Sequence, residues 1–200
     1  MLPFDATLDA SITDMAQLLA RRGIELDGVV HAIALDRTIR GGTVAPMMAV
    51  TREQFLDCLD LSAYSLLAIV RALLESEVLR PQASVVALSY LGAARVPTHP
   101  YRNVAVAKAA LERLAIEMAY ELGRSHAIRV NVVRFSPWVA SRAGGAIEGL
   151  REAMEDAETR SPLGNARPDD LGLEVAHLMR PGLRVTGEIR HVDGGYHVRA

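Results

Sequence analysis

Apolar positions along the chain recur with two periods, and the alternation between them lays out the elements. Ile12, Met15, Leu18 and Leu19 recur at helical spacing behind Asp9 and Ser11, predicting a helix over residues 9–22 capped by one of those two polar residues. After the Asp27-Gly28 turn, Val29-Val30-His31-Ala32-Ile33-Ala34 forms an unbroken run of the kind a buried strand carries. Residues 36–50, punctuated by Gly and Pro, are expected to be loop. Thr51 and Gln54 form a capping box that opens a long helix running to about Leu79, which Pro81 ends. Residues 84–89 and 129–135 are the next two strands. Between them Val104, Leu111, Leu114, Met118 and Leu122 mark one helix face, with Gly123 as its natural C-cap. Helices are expected near 145–158 and 168–179, and a last strand over 188–192 precedes Asp193-Gly194-Gly195.

Strands separated by whole helices require crossover connections and hence a mostly parallel sheet. The fold class is therefore α/β, a Rossmann-like doubly wound parallel sheet, in one domain over residues 1–200. A chain of 200 residues that is 50% hydrophobic can bury one sizeable core. A net charge of −2 gives no electrostatic reason to expect nucleic acid or an anionic membrane surface. No apolar run approaches the roughly 18 residues a membrane span needs, and MLPFDATLDA has neither the basic nor the apolar segment of a signal peptide. A cytoplasmic protein is the expectation. Cys58 is the single cysteine, so it forms no internal disulfide and no thiolate metal site; its apolar helical setting predicts a buried, inert thiol. No metal site is expected.

Tyr101 and Lys108 carry the candidate chemistry. Seven positions apart on a helix, they share one face. A lysine ammonium beside a phenol lowers the phenol's pKa and makes it a better hydrogen-bond donor to a developing oxyanion. The pair alone fits a solvated helix face better than it fits catalysis. Its context is more telling, because Ser89-Tyr90-Leu91-Gly92-Ala93-Ala94-Arg95 stands at the C-terminal end of a parallel strand, where open α/β sheets place their sites. His99, between Pro97 and Pro100, is expected to be a solvent-exposed turn histidine.

Several motifs together carry a family resemblance. They are SYLGA (89–93), the tyrosine and lysine, AKAALE (107–112), IRVN (128–131) and HVDGGY (191–196). DASI (9–12), DGVVHAIA (27–34) and DLSAYS (60–65) precede them in the same order. The chain resembles the bacterial NADH-dependent enoyl-acyl-carrier-protein reductases, a divergent branch of the short-chain dehydrogenase/reductases, over essentially its whole length. The resemblance implies hydride transfer from NADH to the β-carbon of a trans-2-enoyl thioester, leaving charge on the thioester oxygen. It gives Tyr101 the role of hydrogen-bonding that oxygen, Lys108 that of holding the nicotinamide ribose, and Tyr90 that of lining the substrate pocket. It places Asp5 near the adenine, Ala32 and Ile33 beside the adenosine ribose, and Pro137 and Ala140 near the nicotinamide. Asp5 also reads as a cap or a solvated charge, and Tyr90 as an ordinary strand-end aromatic. The implied partners are an acyl-carrier-protein-linked enoyl thioester and other copies in a homotetramer, or a completing chain. Ala109, Ala110 and Ala115 would permit close helix approach at such an interface.

The chain departs from the family's pattern in four places. Where the family has Gly-Pro-x-x-Thr, this chain has Ser136-Pro137-Trp138-Val139-Ala140; Ala140 lacks the hydroxyl, and Ser141 would replace it only with a shift in register. One extra residue precedes Tyr101, and Arg102 stands where the family has Asn, with Asn103 following. The family's glycine-rich strand–turn–helix has no counterpart, since Gly41-Gly42 lies in a different context. Residues 1–5 would be the family's third strand. In the sheet order 3-2-1-4-5-6 the first two strands are then lacking, and the strand near 28–34 becomes an uncovered edge. A chain of this kind is expected to be poorly soluble, dynamic or partner-dependent. Three readings stay open: a reductase completed by further sequence or another chain, a non-catalytic oligomerisation subunit, and a start codon placed too late.

Overall fold

The computed structural model describes residues 4–40, 42–138, 147 and 149–199. Four strands form one parallel sheet in the order β1 (Leu26–His31), β4 (Leu79–Tyr90), β5 (Arg129–Phe135), β6 (Ile189–Val192). Helices α1 (Asp9–Arg21), α3 (Ser65–Glu75) and α4 (Arg102–His126) cover one face, burying Ile12, Leu66, Leu73 and Leu111 against Val85, Val130 and Val132. Helix α6 (Pro168–Met179) covers the other face, where Leu178 packs on Val86 and Val133. Fully burying a valine contributes about 1.5–3 kcal/mol relative to leaving it exposed, so the strands β4 and β5, apolar on both faces, are the energetic centre of the sheet. Helices on both faces of a parallel sheet make the fold the expected Rossmann-like α/β class.

Five expectations are corrected. The long helix over 51–79 opens as predicted, with Thr51 Oγ1 accepting from the Gln54 N–H at 3.2 Å and Gln54 Oε1 accepting from the Thr51 N–H at 3.0 Å. It then breaks: α2 (Arg52–Leu59) passes through a π-helical turn at Asp60–Tyr64 into α3, which ends at Glu75. Pro81 does not end that helix. It lies inside β4, where the pairing jumps from Leu26↔Leu79 to Gly28↔Ser84, and this bulge absorbs a residue with no N–H to donate. Gly123 stays helical; Ala127 takes the left-handed C-cap at φ +55° instead. Residues 36–50 are not all loop, since β2 (Ile39–Arg40) and β3 (Thr43–Val44) form a small antiparallel hairpin. The fifth helix, α5, spans Leu150–Arg160, later than the predicted 145–158.

Of residues 1–5, only Phe4 and Asp5 are described, and neither lies in a strand. Among the described residues β1 is an edge strand, paired with β4 alone. Its Val30 is 47% exposed on the face where α6 reaches only as far as Gly28, against which Met179 packs. The three small residues of α4 do not share an outer face. Ala115 is buried in the core and Ala110 packs against it, which leaves Ala109 exposed. No helix among the described residues is long and apolar enough to cross a membrane.

Candidate active site

The site is built where β1 and β4 end and α4 begins. Strand β4 delivers Tyr90 at its last position, and the chain turns at once through Leu91–Ala93. Tyr101 immediately precedes α4, and its ring meets that of Tyr90 edge-on, with centroids 4.9 Å apart. Gly92 passes beneath both rings. A Cβ there would overlap the Tyr101 ring and lie 3.1 Å from Tyr90 Cδ1, so the glycine of the SYLGA motif is a steric requirement of the tyrosine pair.

Lys108, two turns into α4, is only 4% exposed. Its Nζ donates to the Leu88 carbonyl at 2.8 Å and to the Ile33 carbonyl at 3.1 Å. An ammonium has three N–H groups, so one remains for a ligand. Burial pushes the Lys108 pKa down to about 8, against the opposing pull of Cys58 and Glu112. It is also the only lysine of the chain: every other one of the 22 basic Lys and Arg residues is arginine.

Tyr101 and Lys108 line one cavity of about 370 Å³, as their spacing predicts. Ala32, Ile33, Tyr90, Pro137, His99 and Trp138 also line it. The expected mutual effect on the phenol is corrected, however. Burial pushes the Tyr101 phenol up, and Cys58 and Glu112 push it the same way. Tyr101 is therefore a neutral O–H donor, not a phenol primed to ionise. Tyr90 is likewise pushed up by burial.

His99 is also corrected. It is 3% exposed, with its ring 5.4 Å from Tyr90 and 5.9 Å from Tyr101, and its Nδ1 is buried without a hydrogen-bond partner. Burial pulls its pKa down to about 4, so the ring is neutral at ordinary pH. Asp5 stands apart from the cavity wall. Its exposed carboxylate accepts from the Thr7 N–H at 2.9 Å and the Thr7 hydroxyl at 2.7 Å, the local turn that a cap or solvated charge would make. Ala140 and Ser141 lie outside the described residues.

Cys58 is buried, and burial pushes its thiol up to about 11, which fits the inert role expected of it. The DLSAYS segment falls on the π-helical turn, a feature that helical periodicity does not reveal. That turn aims two serines at the end of β1: Ser62 Oγ accepts from the Leu35 N–H at 3.1 Å, and Ser65 Oγ lies 2.8 Å from Nε2 of the buried His31. Sequence reasoning also missed Glu112 and Arg134. The signal for Glu112 was available, because it lies one helical turn beyond Lys108 and so shares its buried face.

Fold and site together define a Rossmann-like α/β protein with a tyrosine–lysine pair at the C-terminal ends of its strands. The family model described as "Enoyl-(Acyl carrier protein) reductase" matches residues 1–197. A curated relative from Aquifex aeolicus, the enoyl-[acyl-carrier-protein] reductase [NADH] FabI, is 34% identical, covering 97% of this chain and 70% of its own length. The Haemophilus influenzae FabI is also 34% identical, over 100% of this chain and 75% of its own. The solved FabI–NADH complex from Alistipes finegoldii superposes with a TM-score of 0.90 at 30% identity, covering 98% of this chain and 69% of that one. The chain belongs to the enoyl-acyl-carrier-protein reductase family.

Proposed function

We propose that this chain reduces trans-2-enoyl thioesters borne on acyl-carrier protein, with NADH as the hydride donor. The observation that carries the reading is the convergence of Tyr101, Tyr90 and Lys108 on one cavity at the strand ends. The Aquifex aeolicus and Haemophilus influenzae relatives, both NADH enoyl-[acyl-carrier-protein] reductases by name, suggest the substrate and the cofactor.

The residues present fit the nicotinamide-ribose end of the cofactor. Lys108 keeps one N–H beyond those given to Leu88 and Ile33, suited to a ribose hydroxyl. Ala32, Ile33 and Pro137 line the same wall, and the family resemblance implies further cofactor contacts from Asp5 and Ala140. Among the described residues no glycine-rich turn runs directly from a strand into a helix, so the described part offers the pyrophosphate no cradle of backbone N–H groups. When bound, NADH would supply the hydride for the β-carbon of the enoyl group, and a proton taken up from solvent at the α-carbon would complete the reduction. Tyr101, held neutral by burial, donates its O–H to the thioester oxygen as negative charge develops there. Tyr90 and His99 exclude water from one side of that oxygen.

The test is NADH oxidation with a trans-2-enoyl thioester, followed by absorbance. Turnover that falls by about 10²–10³-fold in Tyr101→Phe, with the fold intact by circular dichroism, is the expected result. A wild-type chain that neither binds NADH nor oxidises it sinks the reading.

A further inference from the structure

Behind Lys108 lies a buried ion pair that the proposed chemistry does not use. Glu112 on α4 is 5% exposed. Its Oε1 accepts from Ser89 Oγ at 2.7 Å and from Arg134 Nε at 2.8 Å, and its Oε2 accepts from Arg134 Nη2 at 2.6 Å. Arg134 lies on β5, and its side chain is 13% exposed. Ser89 follows Leu88, whose carbonyl holds Lys108. Two successive turns of α4 are thus fastened to the same strand end, the first through Lys108 and the second through Glu112.

Burying two charges is costly, and a well-packed apolar pair of the same volume is often as stable. Stability alone therefore does not account for the pair. We propose that Glu112 and Arg134 form a charge clamp that positions Lys108 for the cofactor, with Glu112 holding the ammonium charged and Arg134 keeping Glu112 from capturing it. Glu112 and Arg134 are positioning residues that act through Lys108. This inference rests on the reading of Lys108 as a cofactor ligand.

The groups around Lys108 leave Glu112 as the acid that governs it. Cys58 faces it from α2, but that thiol, pushed up to about 11, is neutral where Lys108 titrates. His31 faces it from β1 and is neutral, its pKa pulled down by burial to about 3. Tyr90 from β4 and Tyr101 from α4 share its cavity with their phenols pushed up. Asp36 acts on Cys58, one group further out. Arg134 stands beyond Glu112.

Because the chain has a single lysine, protein labelled with [13Cε]lysine gives one side-chain resonance, and Lys108 can be titrated directly. Glu112→Gln removes the stabilising anion and is expected to lower the midpoint by about 1 pH unit. Arg134→Met removes a nearby cation and leaves Glu112 less neutralised, raising the midpoint by about the same amount. Both variants should raise KM for NADH by about tenfold and leave KM for the enoyl thioester unchanged. Arg134→Lys, which keeps the charge, adds a second lysine resonance, assigned by its absence from the wild type, and should return the Lys108 midpoint to the wild-type value. A merely structural role predicts midpoints that stay put or move together, and either result overturns the clamp. Where a single variant does not fold, the double variant Glu112→Gln/Arg134→Met leaves no orphaned charge. It should keep a near-wild-type midpoint with a raised KM for NADH, and a wild-type KM there also overturns the proposal. The titration needs no turnover. Opposite midpoint shifts in a chain that binds NADH but never oxidises it would sink the enoyl reductase reading and leave the clamp standing.

Discussion

The Lys108 ammonium and the Leu88 carbonyl lie 2.8 Å apart, and this bond joins the helix that carries the site to the strand that ends in it. Tyr90, two residues beyond Leu88, and Tyr101, seven before Lys108, are brought edge to edge by the same junction. The site is thus held by the contact between α4 and β4, not by either element alone. A carbonyl that holds Lys108 is also one that shields its charge from water, which links site geometry to pH.

Lys108 titrates near 8 in the folded chain against an ordinary value of 10.5, chiefly because it is buried. Between those values the unfolded chain binds more protons than the folded one, so this group makes stability rise with pH. Below about 8 the cost of burying the ammonium is fully present, and above 10.5 it is gone. Tyr101 and Cys58, whose pKa values are raised, act in the opposite sense at the alkaline end. The clean measurement is therefore the difference between wild type and Lys108→Met in thermal melts across that range. The variant should lose the rising component, a difference of about 1–3 kcal/mol. Parallel curves would show that the ammonium is not desolvated as described.

Gly92→Ala should disable the site without touching a polar group. The new methyl would strike the Tyr101 ring and crowd Tyr90, and neither ring can retreat from a partner at 4.9 Å. Overpacking of this kind costs about 1–3 kcal/mol. A tyrosine displaced by about 1 Å loses roughly 10²-fold in kcat/KM. Steady-state kinetics with a melt alongside would check both, and wild-type kinetics would place the tyrosines elsewhere.

Much of this was legible in the sequence, for identifiable reasons. The strand at 129–135 is a β-branched run bounded by helix ends, and its limits match the structure residue for residue. Tyr101 and Lys108 meet because seven residues are about two helical turns. What escaped was set by tertiary contact. Helical periodicity continues through Asp60–Tyr64, so the π-helical turn that aims Ser62 and Ser65 leaves no trace in the pattern. His99 between prolines resembles any turn residue until Tyr90 and Tyr101 close over it. The Glu112–Arg134 pair joins residues 22 positions apart on different elements, beyond the reach of local spacing.

His191, Asp193 and His197 bring three ligating atoms within 4.8 Å of one another, yet the hydrogen bonding favours protons there over a metal. Arg134 Nη1 lies 3.4 Å from His191 Nε2, and a guanidinium can only donate. Nε2 must then accept, which leaves the proton on Nδ1, 3.4 Å from Asp193 Oδ2 but outside hydrogen-bonding geometry. A metal would need the lone pair at that nitrogen. Asp193 is also occupied by the Gly195 N–H at 3.0 Å and the His197 N–H at 3.1 Å. Zinc added at neutral pH should leave the melting temperature unchanged, whereas Asp193→Asn should cost about 1–3 kcal/mol by weakening those bonds. A zinc-dependent rise in melting temperature that His197→Ala removes would reverse this assignment.

The edge strand β1 supplies the last prediction. Among the described residues it pairs on one side only, with β4, and Val30 is 47% exposed on a face that α6 does not reach. An apolar strand with open N–H and C=O groups is a template for another chain. Val30→Lys puts a charge on that face and removes no contact in the α1–α3–α4 core, to which Val30 does not belong. Stability should change by less than about 0.5 kcal/mol, while the rate of light-scattering growth on warming should fall several-fold. If the variant aggregates as fast as the wild type, some surface other than β1 drives association. If it aggregates faster and melts lower, Val30 is covered by a partner in solution, and the open edge is an interface.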